Sequence, residues 1–188
     1  MVRVLFIAII LMVLPPIPSA AESCDTPSGQ PVPRFVTLRF DEAIGRAGPS
    51  SDHPKVWIYN RLGLPMEVIA ETPNWRRVRD PGGEEVWMHR RLLSGRRALW
   101  TREASVLYAR HDTQSSVIAE IEAGVVLSQD RCRPGWCRVE AQGFRGWVQT
   151  EQVWGISQTD LEPIAALEGG SDACYRSPSD HASSAPSP

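Results

Sequence analysis

The chain has 188 residues, 42% of them hydrophobic and 22% charged, with a formal net charge of −2. That length allows one or two small domains, and the near-neutral balance removes the electrostatic case for a nucleic-acid partner.

At the N-terminus, Arg3 precedes an apolar run from Val4 to Leu14, which Pro15, Pro16 and Pro18 break before the small residues Ser19-Ala20-Ala21. This pattern predicts a secretory signal peptide over residues 1–21, since a membrane span needs about 20 unbroken apolar residues. The expected location is periplasmic or secreted, with no stable membrane insertion after signal cleavage. Cys24 follows Glu22-Ser23, which is not the small and apolar lead of a lipoprotein cleavage box, so lipidation is not expected. Residues 22–33, with Pro27, Gly29, Pro31 and Pro33, read as an extended leader.

Two tryptophan-centred blocks follow. The first runs Asn74-Trp75-Arg76-Arg77-Val78, then Pro81-Gly82-Gly83, then Val86-Trp87-Met88, and closes on Leu92-Leu93. The second runs Gly135-Trp136-Cys137-Arg138-Val139, then Gln142-Gly143, then Gly146-Trp147-Val148, and closes on Val153. The repeat length is roughly 60 residues. Within each block, β-favouring residues flank a glycine-containing turn, the pattern of a β-hairpin. Leu64–Ala70 and Val125–Leu127 supply a preceding strand in each copy. The expectation is a tandem repeat of strand meanders, over residues 34–95 and 96–156. After residue 156 the chain turns rich in Gly, Ser, Asp and Pro, and residues 157–188 are expected to be mostly disordered beyond a helical turn or two near Asp160–Leu167.

Four cysteines in an exported chain read as disulfides. Cys132 and Cys137 flank the turn-forming Arg133-Pro134-Gly135-Trp136 and are expected to bridge a hairpin, leaving Cys24 and Cys174 to tie the two tails. Four cysteines allow three connectivities, and sequence alone does not choose among them. A zinc site at Cys132 and Cys137 would need two further ligands, and no histidine lies close by, so no metal is expected.

These blocks resemble the bacterial Src-homology-3-type domains, small β-barrels of exported bacterial proteins. The residues that carry the resemblance are Arg46-Ala47-Gly48-Pro49-Ser50, Gly63 with Met66–Ile69, Trp75-Arg76-Arg77-Val78, and Val86-Trp87-Met88 with Leu92-Leu93. The second copy is more worn: Ser105–Ala109 stands where the early motif belongs. The resemblance implies an all-β fold of two small tandem barrels. It also implies a ligand in the cell envelope, with peptidoglycan peptides or an envelope protein as partner. By analogy with the related eukaryotic domains, Asp41, Glu42, Trp57 and Tyr59 are the candidate ligand-binding residues.

Trp75, Trp87, Trp136 and Trp147 occupy matching places in both copies and are expected to fill the barrel cores. Trp57, Tyr59, Trp100 and Tyr108 lie outside the hairpins, either as an exposed aromatic surface or as packing between barrels; Trp154 is expected to cover the end of the second barrel. The arginine runs at 76, 77, 79 and at 90, 91, 96, 97 read chiefly as solvated edges and loops, with an anionic contact surface or metal sequestration as lesser readings. No Gly-x-Ser-x-Gly motif, phosphate-binding glycine loop or base-paired nucleophile occurs, so no catalytic residue, no cofactor and no enzyme is expected. The leading function is an exported binding module. The alternative is a structural component docking within an envelope complex, which a large apolar patch between the barrels would favour.

Overall fold

The computed structural model describes residues 26–161. The expected signal peptide, Cys24, Cys174 and the tail beyond Leu161 lie outside them. The first sheet contains β1 (Arg34–Leu38), β2 (Ala43–Arg46), β3 (Lys55–Tyr59), β4 (Pro65–Glu71), β5 (Trp75–Arg79), β6 (Glu85–His89) and β7 (Leu93–Ser94), in the spatial order β3-β2-β6-β5-β4-β1-β7. The second contains β8 (Ala98–Thr101), β9 (Ser105–Tyr108), β10 (Val117–Ile121), β11 (Val126–Arg133), β12 (Trp136–Ala141), β13 (Phe144–Gln149) and β14 (Val153–Trp154), in the order β10-β9-β13-β12-β11-β8-β14. Counted within each copy the two orders are identical, so the repeat of tryptophans is a repeat of topology. A four-residue helix, α1 (Gln158–Leu161), follows.

Each sheet curls around its own core. In β5 and β6 the alternation of side chains sends Val78, Val86 and Met88 inward, and in β12 and β13 it sends Cys137, Val139 and Val148 inward. Met66 and Val68 of β4, and Leu127 of β11, complete the floor of each core. Burying one such aliphatic side chain contributes about 1.5–3 kcal/mol.

This alternation overturns the expectation that the four repeat-defining tryptophans fill the cores. Trp75, Trp87, Trp136 and Trp147 all point outward and are half-buried. Their neighbours at one-residue offset take the interior, which in so small a barrel suits mid-sized aliphatic side chains. On the outer face Trp75 meets His89 edge to face at 5.3 Å, and Trp136 meets Tyr108 likewise at 5.5 Å. Trp147 lies beneath Arg131 and Arg133.

The expected disulfide joins Cys132 to Cys137 directly across the β11–β12 hairpin. The described part of the leader is not extended throughout: Thr26–Gln30 turns back on itself, closed by Gly29 N–H donating to the Thr26 carbonyl and Thr26 Oγ1 donating to the Gln30 carbonyl. Val32 then packs against the first core.

Three residues separate β7 from β8, and the two barrels pack together. Trp100 and Val126 of the second barrel lie against the first core. Arg61 reaches across to the Gly124 carbonyl with its guanidinium over the Trp100 ring. Trp154, expected to cover its own barrel, instead meets Phe35 of the first edge to face at 4.9 Å. Arg97 clasps the junction: it donates to the carbonyls of Phe35 and Gly155 and pairs with Asp160.

Candidate ligand-binding surface

β3 is an edge strand, hydrogen-bonded only to β2 among the described residues. The pairing Ala43↔Tyr59, Ile44↔Ile58 and Gly45↔Trp57 puts Trp57 and Tyr59 on one face, two residues apart. Their rings lie 6.1 Å apart. Val56, Trp57 and Ile58 are 50%, 48% and 53% exposed, a run of three large apolar side chains on a strand whose outer edge has no strand partner among the described residues. Such an edge offers backbone donors and acceptors to an added strand.

Asp41 and Glu42 are exposed in the loop that leads into β2. Since Ala43 is the register partner of Tyr59, Glu42 sits at the Tyr59 end of the β2–β3 pair. Of the four candidate residues, Asp41, Glu42 and Trp57 are thus on the surface at this edge. Tyr59 is not: it is 6% exposed and belongs to the first core. Its hydroxyl donates to Asp80 Oδ2 at 3.1 Å, while Asp80 Oδ1 accepts from the backbone N–H of Gly82 and Glu84. Burial pushes the Tyr59 phenol well above its ordinary value, with the Asp80 charge adding to the shift. Tyr59 therefore anchors the β5–β6 turn from below.

The second barrel presents a matching edge in β10, where Val117 and Ile118 are exposed and Ala119 takes the place of Trp57. Only the first copy carries an aromatic side chain there.

Apart from the exposed Arg96, the arginine runs divide into three groups. Arg77 pairs with Glu85 at 2.7 Å, and Arg79 bridges Glu85 and Glu67 at 2.7 and 3.0 Å. The hydrogen bond from Arg79 holds the Glu85 carboxyl below the ordinary range, and Glu85 raises Arg79 in return. Arg97 belongs to the junction between barrels. Arg76, which pairs with Glu71 at 3.0 Å, gathers elsewhere with Arg90 and Arg91 in the lining of one cleft. Among the described residues no group of three His, Cys, Asp or Glu side chains is placed to hold a metal, and no helix is long and apolar enough to cross a membrane.

Two small all-β barrels of one topology in tandem define the class of this protein. The family model of the Bacterial SH3 domain matches residues 41–95 and 102–155, which is more than half of the chain, and the chain belongs to that family. No curated protein matches the sequence. Among solved structures, NlpC2 from Trichomonas vaginalis is similar at 12% identity and a TM-score of 0.33, with 71% of this chain and 51% of that chain covered. NlpC1 from the same organism is similar at 12% identity and a TM-score of 0.30, with 65% and 46% covered. The chain spans about half the length of these two structures.

Proposed function

We propose that this protein is an exported, non-enzymatic binding module that takes an extended peptide of the cell envelope on the β3 edge, a peptidoglycan peptide or a segment of an envelope protein. The observation that carries the reading is the exposed Val56-Trp57-Ile58 run on a strand edge that is unpaired among the described residues. An extended ligand gains main-chain hydrogen bonds from such an edge and side-chain specificity from alternate positions along it. Trp57 supplies the large apolar contact, and Asp41 and Glu42 favour a ligand with a basic group. The Cys132–Cys137 bond supports an oxidising compartment, periplasmic or extracellular.

For the assembly reading, an apolar patch between the barrels would be the supporting feature. The apolar residues there pack against each other, while Val56, Trp57, Ile58, Val117 and Ile118 expose theirs on the edge strands. The test is co-sedimentation of residues 22–188 with purified peptidoglycan sacculi across a salt series. Saturable retention that Trp57→Ala abolishes, with unchanged thermal stability, supports the proposal. A folded wild-type chain that stays in the supernatant rules out peptidoglycan, and undiminished retention of the variant rules out this edge.

A further inference from the structure

A cleft of about 440 Å³ opens on the first barrel between β1, β4, β5 and the turn that follows β6. Arg34, Arg39, Arg76, Arg90 and Arg91 line it, and no acidic residue does. The nearest compensation is Glu71, whose side chain is 1% exposed and whose carboxylate is already occupied: Oε2 accepts from Arg34 Nη2 at 2.6 Å and from Arg76 Nε at 3.0 Å, and Oε1 accepts from the Ser28 N–H at 2.8 Å. Two of the five guanidinium groups, those of Arg34 and Arg76, thus share one carboxylate, and the other three have none among the described residues. Arg39, Arg90 and Arg91 have exposed side chains with no ion pair among the described residues, and the Arg34 Nε–H is buried without an acceptor.

The crowding is felt electrostatically. Burial, together with the charges of Arg91, Arg90 and Arg76, holds the His89 imidazole below its ordinary range. Burial also depresses Arg76, and the charges of Arg34 and Arg90 add to that against the pull of Glu71. Concentrating like charge costs free energy, and here it is concentrated in a chain whose formal net charge is −2.

The second barrel shows that the fold does not require it. By strand register, Arg34 and Arg39 correspond to Arg97 and Arg102, but Arg76 corresponds to Cys137, and Arg90 and Arg91 correspond to Thr150 and Glu151. The same scaffold folds there with three of the five cations replaced, and with Arg97 turned to the barrel junction.

We propose that this cleft binds a ligand carrying two or more oxyanion groups, carboxylate or phosphate. The planar guanidinium matches either group with two parallel N–H donors, and the cleft volume falls within the roughly 300–1,000 Å³ of small-ligand sites. Arg34 and Arg76, fixed by Glu71, form the rigid back of the site; Arg39, Arg90 and Arg91 close on the ligand from the rim. The site is separate from the β3 edge and stands whether or not that edge binds a peptide.

The experiment is isothermal titration of residues 22–188 with pyrophosphate and, separately, with citrate, at low ionic strength and again at raised salt. The expected result is one saturable site for at least one probe, and the probe preferred tells phosphate from carboxylate. R90Q/R91Q should weaken it about tenfold or more, with unchanged thermal stability. R102Q/R110Q, which removes the same charge from exposed positions of the second barrel, should leave affinity within about twofold. Absence of binding by both probes overturns the proposal, as does an equal loss in the two double variants, which would mean that net charge alone attracts the anion.

Discussion

Glu71 is the residue on which the first barrel's charge arrangement depends, and Glu71→Gln tests that directly. The substitution keeps the shape of the side chain and removes its charge. The carboxylate accepts two guanidinium hydrogen bonds and one backbone hydrogen bond, and the side chains involved are 14%, 9% and 1% exposed for Arg34, Arg76 and Glu71. Exposed ion pairs contribute at most about 1 kcal/mol, but removing one member of a buried set leaves uncompensated charge and costs about 3–5 kcal/mol. The lower end applies here, because the glutamine carbonyl can still accept from Ser28 or from one arginine, while its amide meets the other arginine donor to donor. Urea unfolding followed by tryptophan fluorescence should therefore show about 3 kcal/mol lost. A loss below about 1 kcal/mol would refute the buried-hub reasoning and place Glu71 with the surface pairs.

The pH dependence supplies an independent check. Burial alone would raise the Glu71 carboxyl, but the hydrogen bonds from Ser28 and Arg34 and the charge of Arg34 outweigh it, so the folded-state value lies below the ordinary one. The unfolded chain then binds the proton more tightly than the folded chain. The contribution of Glu71 is complete above the unfolded carboxylate value of about 4.3 and fades as pH falls through the lower folded value. The stability gap between wild type and Glu71→Gln should be flat from about pH 6 to 8 and shrink below about pH 4.

Two further perturbations probe packing. A Cβ placed on Gly45 would lie 2.7 Å from the Val86 side chain, so Gly45→Ala should cost about 1–3 kcal/mol by overpacking and should show a coupling of about 1 kcal/mol or more with Val86→Gly; additivity within about 0.5 kcal/mol in urea unfolding would contradict the contact. Reducing Cys132–Cys137, which closes a loop of sequence separation 5, should lower the stability of the second barrel by about 2 kcal/mol and leave anion binding on the first unchanged; a loss of binding on reduction would mean the barrels are more tightly coupled than their separate cores imply.

The two copies and their hairpins were legible in the sequence because turn glycines and β-favouring runs are local signals: the strands fall at Trp75–Arg79, Glu85–His89 and Trp136–Ala141, as the blocks predict. The Cys132–Cys137 bond was legible for the same reason. The inward face was not. In Trp75-Arg76-Arg77-Val78 an indole at an odd position and an arginine at an even one give opposite answers about which side is buried, and hydrophobicity favours the wrong one. Arg76 is 8% exposed, with Glu71, its cross-strand partner, neutralising it and the Thr72 and Trp75 carbonyls accepting from its Nη1. Tyr59 misled similarly, since its hydroxyl is satisfied by Asp80, 21 residues away. The arginine cleft escaped prediction because its members come from four separate stretches of chain, and a run such as 76, 77, 79 sends its side chains to opposite faces.

Comparing the two barrels position by position shows that contacts, more than single residues, differ between them. Glu71 faces Arg76 where Cys132 faces Cys137, at the same end of the same hairpin. Tyr59 and Asp80 are hydrogen-bonded where Ile121 and Ala141 stand. The tight approach of the second strand to the sixth is made by Gly45 against Val86 in one copy and by Leu107 against Gly146 in the other, with the glycine on opposite strands. In each case both partners differ together, as close packing and the cost of an unpaired buried charge require. The consequence reaches function. A disulfide at the Glu71–Arg76 position secures the hairpin without placing any charge there, whereas the ionic solution sets the buried Arg76 in the lining of a cleft and fixes Arg34 beside it. The first barrel's means of closing its hairpin is therefore also what builds the rigid back of its anion site, and the second barrel, closed by sulfur, has none.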